Sequence, residues 1–125
     1  MLPANGRYVL EPEAVGLLTH YGIPYPDHAL AHSPQEAVDI AARLGYPVVL
    51  KVVSPDVVHK SDAGGVLVDL QDAEQVWQGY HHIVDHVCAR VPAARIDGLL
   101  VCCQAVPGLE LIAGALQDSV FGPTL

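Results

Sequence analysis

The chain has 125 residues, enough for one compact domain with a real core. Only 16% of its residues are charged, against roughly 25% in ordinary soluble domains, so part of the surface reads as built to meet more protein. The net charge of -8 argues against a general nucleic-acid or anionic-membrane surface, and any anion site must be a local knot of positive groups.

Residues 11 to 21 read as a helix, with Pro12 in its first turn and Val15, Leu18 and Tyr21 on one face. Gly22 supplies a left-handed stop and Pro24 blocks continuation. A short strand is expected around Asp27 to Ala31. The next helix carries stronger signals: Ser33 as N-cap, Pro34 at the first position and Glu36 closing a capping box. Ala37, Ile40, Ala41 and Leu44 form its apolar stripe, and Gly45 ends it.

Pro47 to Val53 is rich in β-branched residues and reads as a strand. A polar loop runs from Ser54 to Gly65, and Val66 to Leu70 is a further strand. Asp72 and Gln75 open the longest helix, with Val76, Tyr80, Ile83, Val84, Val87 and Val91 at helical spacing. Trp77 beside this stripe is expected in the core. Ile96 to Cys103 and Leu109 to Leu116 read as two more strands, joined by a turn at Pro107-Gly108. The order α, β, α, β, β, α, β, β points to an α+β fold, a mixed or antiparallel sheet with helices on one side.

No apolar run approaches the ~20 residues that span a bilayer. Met1 to Leu10 lacks a signal-peptide core. Cys88, Cys102 and Cys103 are odd in number, and neighbours on a strand point to opposite faces. They read as reduced thiols of a cytoplasmic protein.

Lys51 is the only charge in Pro47 to Val53, and strand alternation places it on one face with Val49 and Val53. An ammonium between two valines needs a negative partner, and phosphate is a natural one. The alternative is an edge lysine whose stem packs while its head reaches water. His59, Lys60, Ser61 and Asp62 follow as four polar groups in a row, ending near Gly64 and Gly65. Paired glycines allow backbone N–H groups to approach an anion, and Lys60 adds a second positive charge. Neither G-x-x-x-x-G-K-[ST] nor G-x-G-x-x-G occurs.

Leu50-Lys-Val-Val-Ser-Pro55 followed by His59-Lys-Ser-Asp-Ala-Gly-Gly-Val66 resembles the signature of the beta subunit of ADP-forming acetyl-CoA synthetases and related acyl-CoA ligases. Leu18-Thr-His-Tyr-Gly-Ile-Pro24, Val106-Pro-Gly-Leu-Glu-Leu-Ile112 and Phe121-Gly-Pro123 resemble other segments of that family. The resemblance runs from about Glu11 to the last residue. It implies an ATP-grasp fold, in which two α+β lobes hold ATP or ADP. The chain would be the first lobe and the start of the second, a nucleotide-binding portion that stops before the family's magnesium-binding carboxylates.

The resemblance also implies site roles. Lys51 would contact the α- and β-phosphates, and the loop with Lys60, Ser61, Gly64 and Gly65 would fold over them. Backbone groups near Cys103, Gln104 and Val106 would read the adenine edge, although the family usually shows Gln-Glu where this chain has Cys103-Gln104. Glu110 would accept hydrogen bonds from the ribose. His59 resembles the second phosphoryl carrier of the family. A neutral imidazole is a competent nucleophile, and Gly64 and Gly65 could supply the motion a carrier needs. Mg2+ would accompany the nucleotide, with its ligands mostly outside this chain. The implied partner is a CoA-binding, acyl-CoA-handling subunit or domain. An exposed strand edge could also pair copies into a homo-oligomer. Two other readings stand beside this one: a nucleotide- or partner-binding domain without catalysis, and another ATP-grasp carboxylate ligase.

His81, His82 and His86 cluster with Asp85 on the long helix. His82 and His86 are one turn apart and could hold a metal. A solvated polar face opposite the valine stripe accounts for them better.

Overall fold

The computed structural model describes residues 8–125. The reading of the chain's start therefore lies outside the described residues as far as residue 7. Helix α1 spans Glu11–His20, with Pro12 in its first turn and Glu13 accepting a hydrogen bond from the Leu10 N–H at 3.3 Å. Gly22 ends it at φ 73°, as a left-handed stop requires. Val15 is buried, but Tyr21 lies beyond the last helical residue and is 74% exposed, so it does not share that face. Strand β1 is His28–Ala31.

Helix α2 is Pro34–Leu44, and the Ser33 hydroxyl accepts from the Glu36 N–H at 3.2 Å. The Glu36 carboxylate reaches one residue further back than a capping box requires, to the His32 N–H at 2.8 Å. Ala37, Ile40 and Ala41 are buried. Strands β2 (Val48–Val53) and β3 (Val66–Leu70) follow. Helix α3 is Ala73–Arg90, capped by Asp72 through the Gln75 N–H. Strand β4 is Gly98–Cys103.

The four strands form one antiparallel sheet in the order β1-β4-β2-β3. Helices α2 and α3 cover one face. There Val48, Leu50, Val52, Leu99 and Val101 meet Ile40, Val76, Ile83 and Val87. Fully burying a side chain of this kind contributes about 1.5–3 kcal/mol. Gly79 lets α3 lie close to the sheet, because a Cβ there would stand 3.1 Å from Leu67 Cδ1. Trp77 falls on the flank of α3 and is 41% exposed, so it is not a core residue.

The expected strand at Leu109–Leu116 is absent. Leu109, Leu111 and Ile112 are 89%, 83% and 101% exposed, and no neighbouring strand offers them a surface. Strand preference is largely packing against such neighbours, and it has no effect where none exists. A small separate hairpin forms instead from β5 (Leu116–Asp118) and β6 (Gly122–Thr124).

Between β2 and β3 the loop folds back on itself. The Gly65 N–H donates to Lys60 O at 2.7 Å, and the Val52 N–H donates to Gly65 O at 2.7 Å. A Cβ on Gly65 would meet Val52 Cγ1 at 2.4 Å and Lys60 O at 3.0 Å. Gly65→Ala should therefore destabilise the fold by about 1–3 kcal/mol, as overpacking does. Gly16→Ala, in open helix surface, should not destabilise it. Denaturant midpoints of the two variants compare them directly.

Candidate functional site

Alternation along β2 turns Lys51 away from the helical layer, onto the face that also carries Val53, Leu100 and Cys102. β2 lies between β4 and β3, so Lys51 is not an edge lysine; it stands in the interior of the sheet. Its partner comes from the first residue of α1. Lys51 Nζ donates to Glu11 Oε1 at 2.8 Å and to the Tyr25 hydroxyl at 3.3 Å. The Tyr25 hydroxyl donates to the same Glu11 oxygen at 2.5 Å. Lys60 Nζ takes the other oxygen, Oε2. Two cations thus converge on one carboxylate, leaving the cluster positive within an acidic chain.

Burial pulls the Glu11 carboxyl upward, but hydrogen bonds from Lys51, Lys60 and Tyr25 and the Lys51 charge outweigh it. The net result lowers its pKa from 4.5 to about 2. Burial, with the neighbouring Glu11 carboxylate, pushes the Tyr25 phenol up. Burial likewise raises the Cys102 thiol, whose sulfur lies 3.9 Å from the Tyr25 oxygen.

Two cavities meet at Lys51. One, of about 570 Å³, is lined by Glu11, Lys51, His59, Lys60, Ser61 and Asp62 among others. The second, of about 470 Å³, places Lys51 together with Val49, Val68, Cys103, Gln104 and Glu110. Most of the residues singled out in the sequence therefore fall into two groups that share one lysine. Val106 is 89% exposed and lines neither cavity.

The backbone donors are disposed differently from the expectation. The Gly64 and Gly65 N–H groups are spent inside the loop, on Ser61 O at 3.1 Å and on Lys60 O. Gly65 is wedged against Val52, so the glycine pair anchors the loop rather than loosening it. Buried Val57 and Ala63 fix it further, and the Arg90 guanidinium donates to the Asp62 carbonyl. His59 sits exposed on the arc between these anchors. At the other cavity, the Cys103 and Gln104 N–H groups bond to Asp27 O at 2.8 Å and Pro47 O at 3.2 Å. The Gln104 side chain accepts from the Asp69 N–H at 2.6 Å, at the β3 bulge where Asp69 has φ 60°.

Glu11 and Tyr25 were not legible as site residues. Only the need of Lys51 for a negative partner pointed toward them. The three cysteines are free, and Cys103 turns its sulfur toward Leu44 O on the face opposite Cys102. His82 and His86 stack with ring centroids 4.0 Å apart on the outer side of α3. Among the described residues, no three His, Cys, Asp or Glu side chains converge to hold a metal. No helix among them is long and apolar enough to cross a membrane.

Strand β2 thus presents Lys51, and the loop after it Lys60, to one carboxylate and one cavity. The family model for the ATP-grasp domain matches residues 1–125. The chain belongs to the ATP-grasp family. It is 38% identical over 122 residues to the beta subunit of acetate–CoA ligase [ADP-forming] I of Pyrococcus furiosus, covering 98% of this chain and 53% of that protein. Its fold matches the dinucleotide-forming acetyl-coenzyme A synthetase 1 of Ca. Korarchaeum cryptofilum, in complex with coenzyme A, Ca-AMPCP and HgCl+. That match has a TM-score of 0.92 and 50% identity, over 95% of this chain and 52% of that one. Another structure of the same enzyme, with coenzyme A and Mg-AMPPCP, has its phosphohistidine segment pointing towards the nucleotide binding site. It matches at a TM-score of 0.71 and 43% identity, over 92% of this chain and 46% of that one. The chain thus spans about half the length of these relatives.

The low Glu11 pKa has a consequence for stability. A carboxyl whose folded pKa lies below its unfolded value stabilises the fold above about pH 4.5, and that stabilisation is lost as pH falls toward 2. With solvent screening of a partly exposed cluster, the loss should be on the order of 2 kcal/mol. Unfolding measured between pH 6 and 2.5 should show this slope in the wild type. Glu11→Gln should flatten that part of the profile.

Proposed function

We propose that the chain is the nucleotide-binding part of an ADP-forming acyl-CoA synthetase. The complete enzyme would convert acyl-CoA, ADP and phosphate to a carboxylic acid, CoA and ATP, reversibly. The observation that carries this reading is the position of Lys51, where the cavity with His59 meets the cavity with Gln104 and Glu110. A nucleotide laid across that junction would put its phosphates between Lys51 and Lys60 and its base against Val49 and Val68. Glu110 lines the same cavity and is available to ribose hydroxyls. With the Cys103 and Gln104 N–H groups already paired, the base edge would be read by the backbone that follows them, toward Val106.

His59 would carry the phosphoryl group. A ring nitrogen attacks the phosphorus of an incoming phosphohistidine or acyl phosphate, the bond to the donor breaks, and a phosphohistidine forms. A terminal β-oxygen of ADP then attacks that phosphorus, giving ATP and returning the neutral ring. The exposure of His59 beside Lys60 supports the role: the ring is reachable and a cation is near the incoming group. Magnesium would accompany the nucleotide. The described residues bring no three His, Cys, Asp or Glu side chains together to cage it, and its ligands would come from the remaining portion of an enzyme like the relatives. The same portion would supply the second lobe, and a CoA-binding subunit or domain would deliver the acyl group. The free thiols suit the cytosol. Exposed Val106, Leu109, Leu111 and Ile112 suit burial against further protein, either that lobe or a second copy.

The test joins this chain to a second lobe and acyl-CoA-handling partner from such a relative. His59→Ala should keep ATP binding and lose phosphate exchange with the acyl-CoA half-reaction. Lys51→Met should keep the fold and weaken ATP binding by roughly tenfold or more, the scale of a lost charge-assisted contact. Full turnover by the His59 variant would remove it from the phosphoryl path.

A further inference from the structure

The Glu11 carboxylate accepts three donors. Oε1 takes Lys51 and Tyr25, and Oε2 takes Lys60. Those two lysines are the ones a phosphate chain would need, and Glu11 lines the same cavity. Accepting the reading of that cavity as a phosphate site, we infer that Glu11 is an internal competitor for Lys51 and Lys60. A phosphate chain gains the two lysines only by displacing the Glu11 carboxylate.

Charge requires something of this kind. Two ammoniums drawn toward one point repel unless an anion lies between them, and Glu11 supplies that anion. An ammonium is a compact point charge with rotatable donors, so it exchanges carboxylate for phosphate oxygens without a geometric penalty. The carboxylate cannot stay in place when the exchange is made. Two lysines balance the charge of a diphosphate segment; a retained Glu11 leaves an excess negative charge in a partly desolvated site. It also has somewhere to go. Glu11 is the first residue of α1, its side chain retains 21% exposure, and three rotatable bonds carry the carboxylate. Once displaced, it remains beside the first-turn N–H groups of the helix, where negative charge is favoured.

The arrangement selects among anions. A weakly charged anion does not outcompete a carboxylate held by three donors, whereas a diphosphate or triphosphate does. Glu11 is thus a specificity residue for polyphosphate, acting through the two lysines.

The experiment is an NMR-monitored titration of the purified chain with pyrophosphate and, separately, with ADP. Wild type, Glu11→Gln and Glu11→Asp are compared. Aspartate keeps the charge but is one methylene shorter, so it cannot bridge both lysines. Pyrophosphate should bind Glu11→Gln roughly tenfold more tightly than wild type, and Glu11→Asp several-fold more tightly. Equal or weaker binding by Glu11→Gln would overturn the inference and make Glu11 a residue that positions the lysines. Tightening in Gln but not in Asp would also overturn it, assigning the effect to net charge without displacement. If Glu11→Gln does not fold cooperatively, Tyr25→Phe serves in its place. It removes one donor from Oε1 and leaves both lysines, so pyrophosphate should tighten about two- to threefold; no change overturns the inference. The pyrophosphate pattern tests the competitor alone. If that pattern appears while ADP binds no better than pyrophosphate, the competitor stands and the adenine-nucleotide reading fails.

Discussion

An ammonium in the interior strand of a sheet must be neutralised, and the site is organised around that requirement. Lys51 has β4 on one side and β3 on the other, so its chain neighbours cannot supply an anion. Glu11 does, from 40 residues earlier. Meeting Lys51 brings the first turn of α1 over the sheet face and draws in Tyr25, whose hydroxyl completes the contact. The second carboxylate oxygen then holds Lys60 and, with it, the arc of loop that carries His59. Helix, strand and loop are registered to one another through one carboxylate.

The two faces of the sheet divide the work. Val48, Leu50 and Val52 point to the helices and supply burial, while Lys51, with Val49 and Val53, points to the opposite face. Stability and chemistry are therefore carried by alternate residues of the same six-residue strand. Val52 links the two functions. Its side chain packs under Gly65 and its N–H bonds to Gly65 O, so the core-facing side of β2 fixes the end of the loop whose His59, Lys60, Ser61 and Asp62 line the site.

Elements with local signals were legible in the sequence. The Ser33 and Asp72 caps, the Gly22 stop and the valine-rich run at β2 each encode their structure within a few residues, and the observed elements follow them closely. Lys51, Lys60 and His59 were legible because a charge in an apolar strand and a run of polar groups stand out. Glu11 and Tyr25 were not, since their importance depends on a contact across 40 and 26 residues that no periodicity encodes. The glycine pair was visible, but its use was not: the same freedom that allows N–H groups to face an anion also allows a tight turn that consumes them. Leu109–Leu116 and Trp77 depart from the expectation for a common reason: apolar character leads to burial only where a surface lies opposite.

That surface is the remaining constraint on the second cavity. Val49, Lys51 and Cys102 form its floor, and Gln104, Ala105, Pro107 and Glu110 form one side. Gln104 is held to the β3 bulge by its side chain, so this side begins from a fixed point. Beyond it the chain runs exposed through Leu109, Leu111 and Ile112 to the β5–β6 hairpin, with Val120 and Phe121 also exposed. A base resting on Val49 and Val68 would be covered on one face only and would gain little from desolvation. A second wall that buried these leucines would also enclose the base. The low charge content of the chain and the exposure of the 106–121 segment both suit burial against further protein.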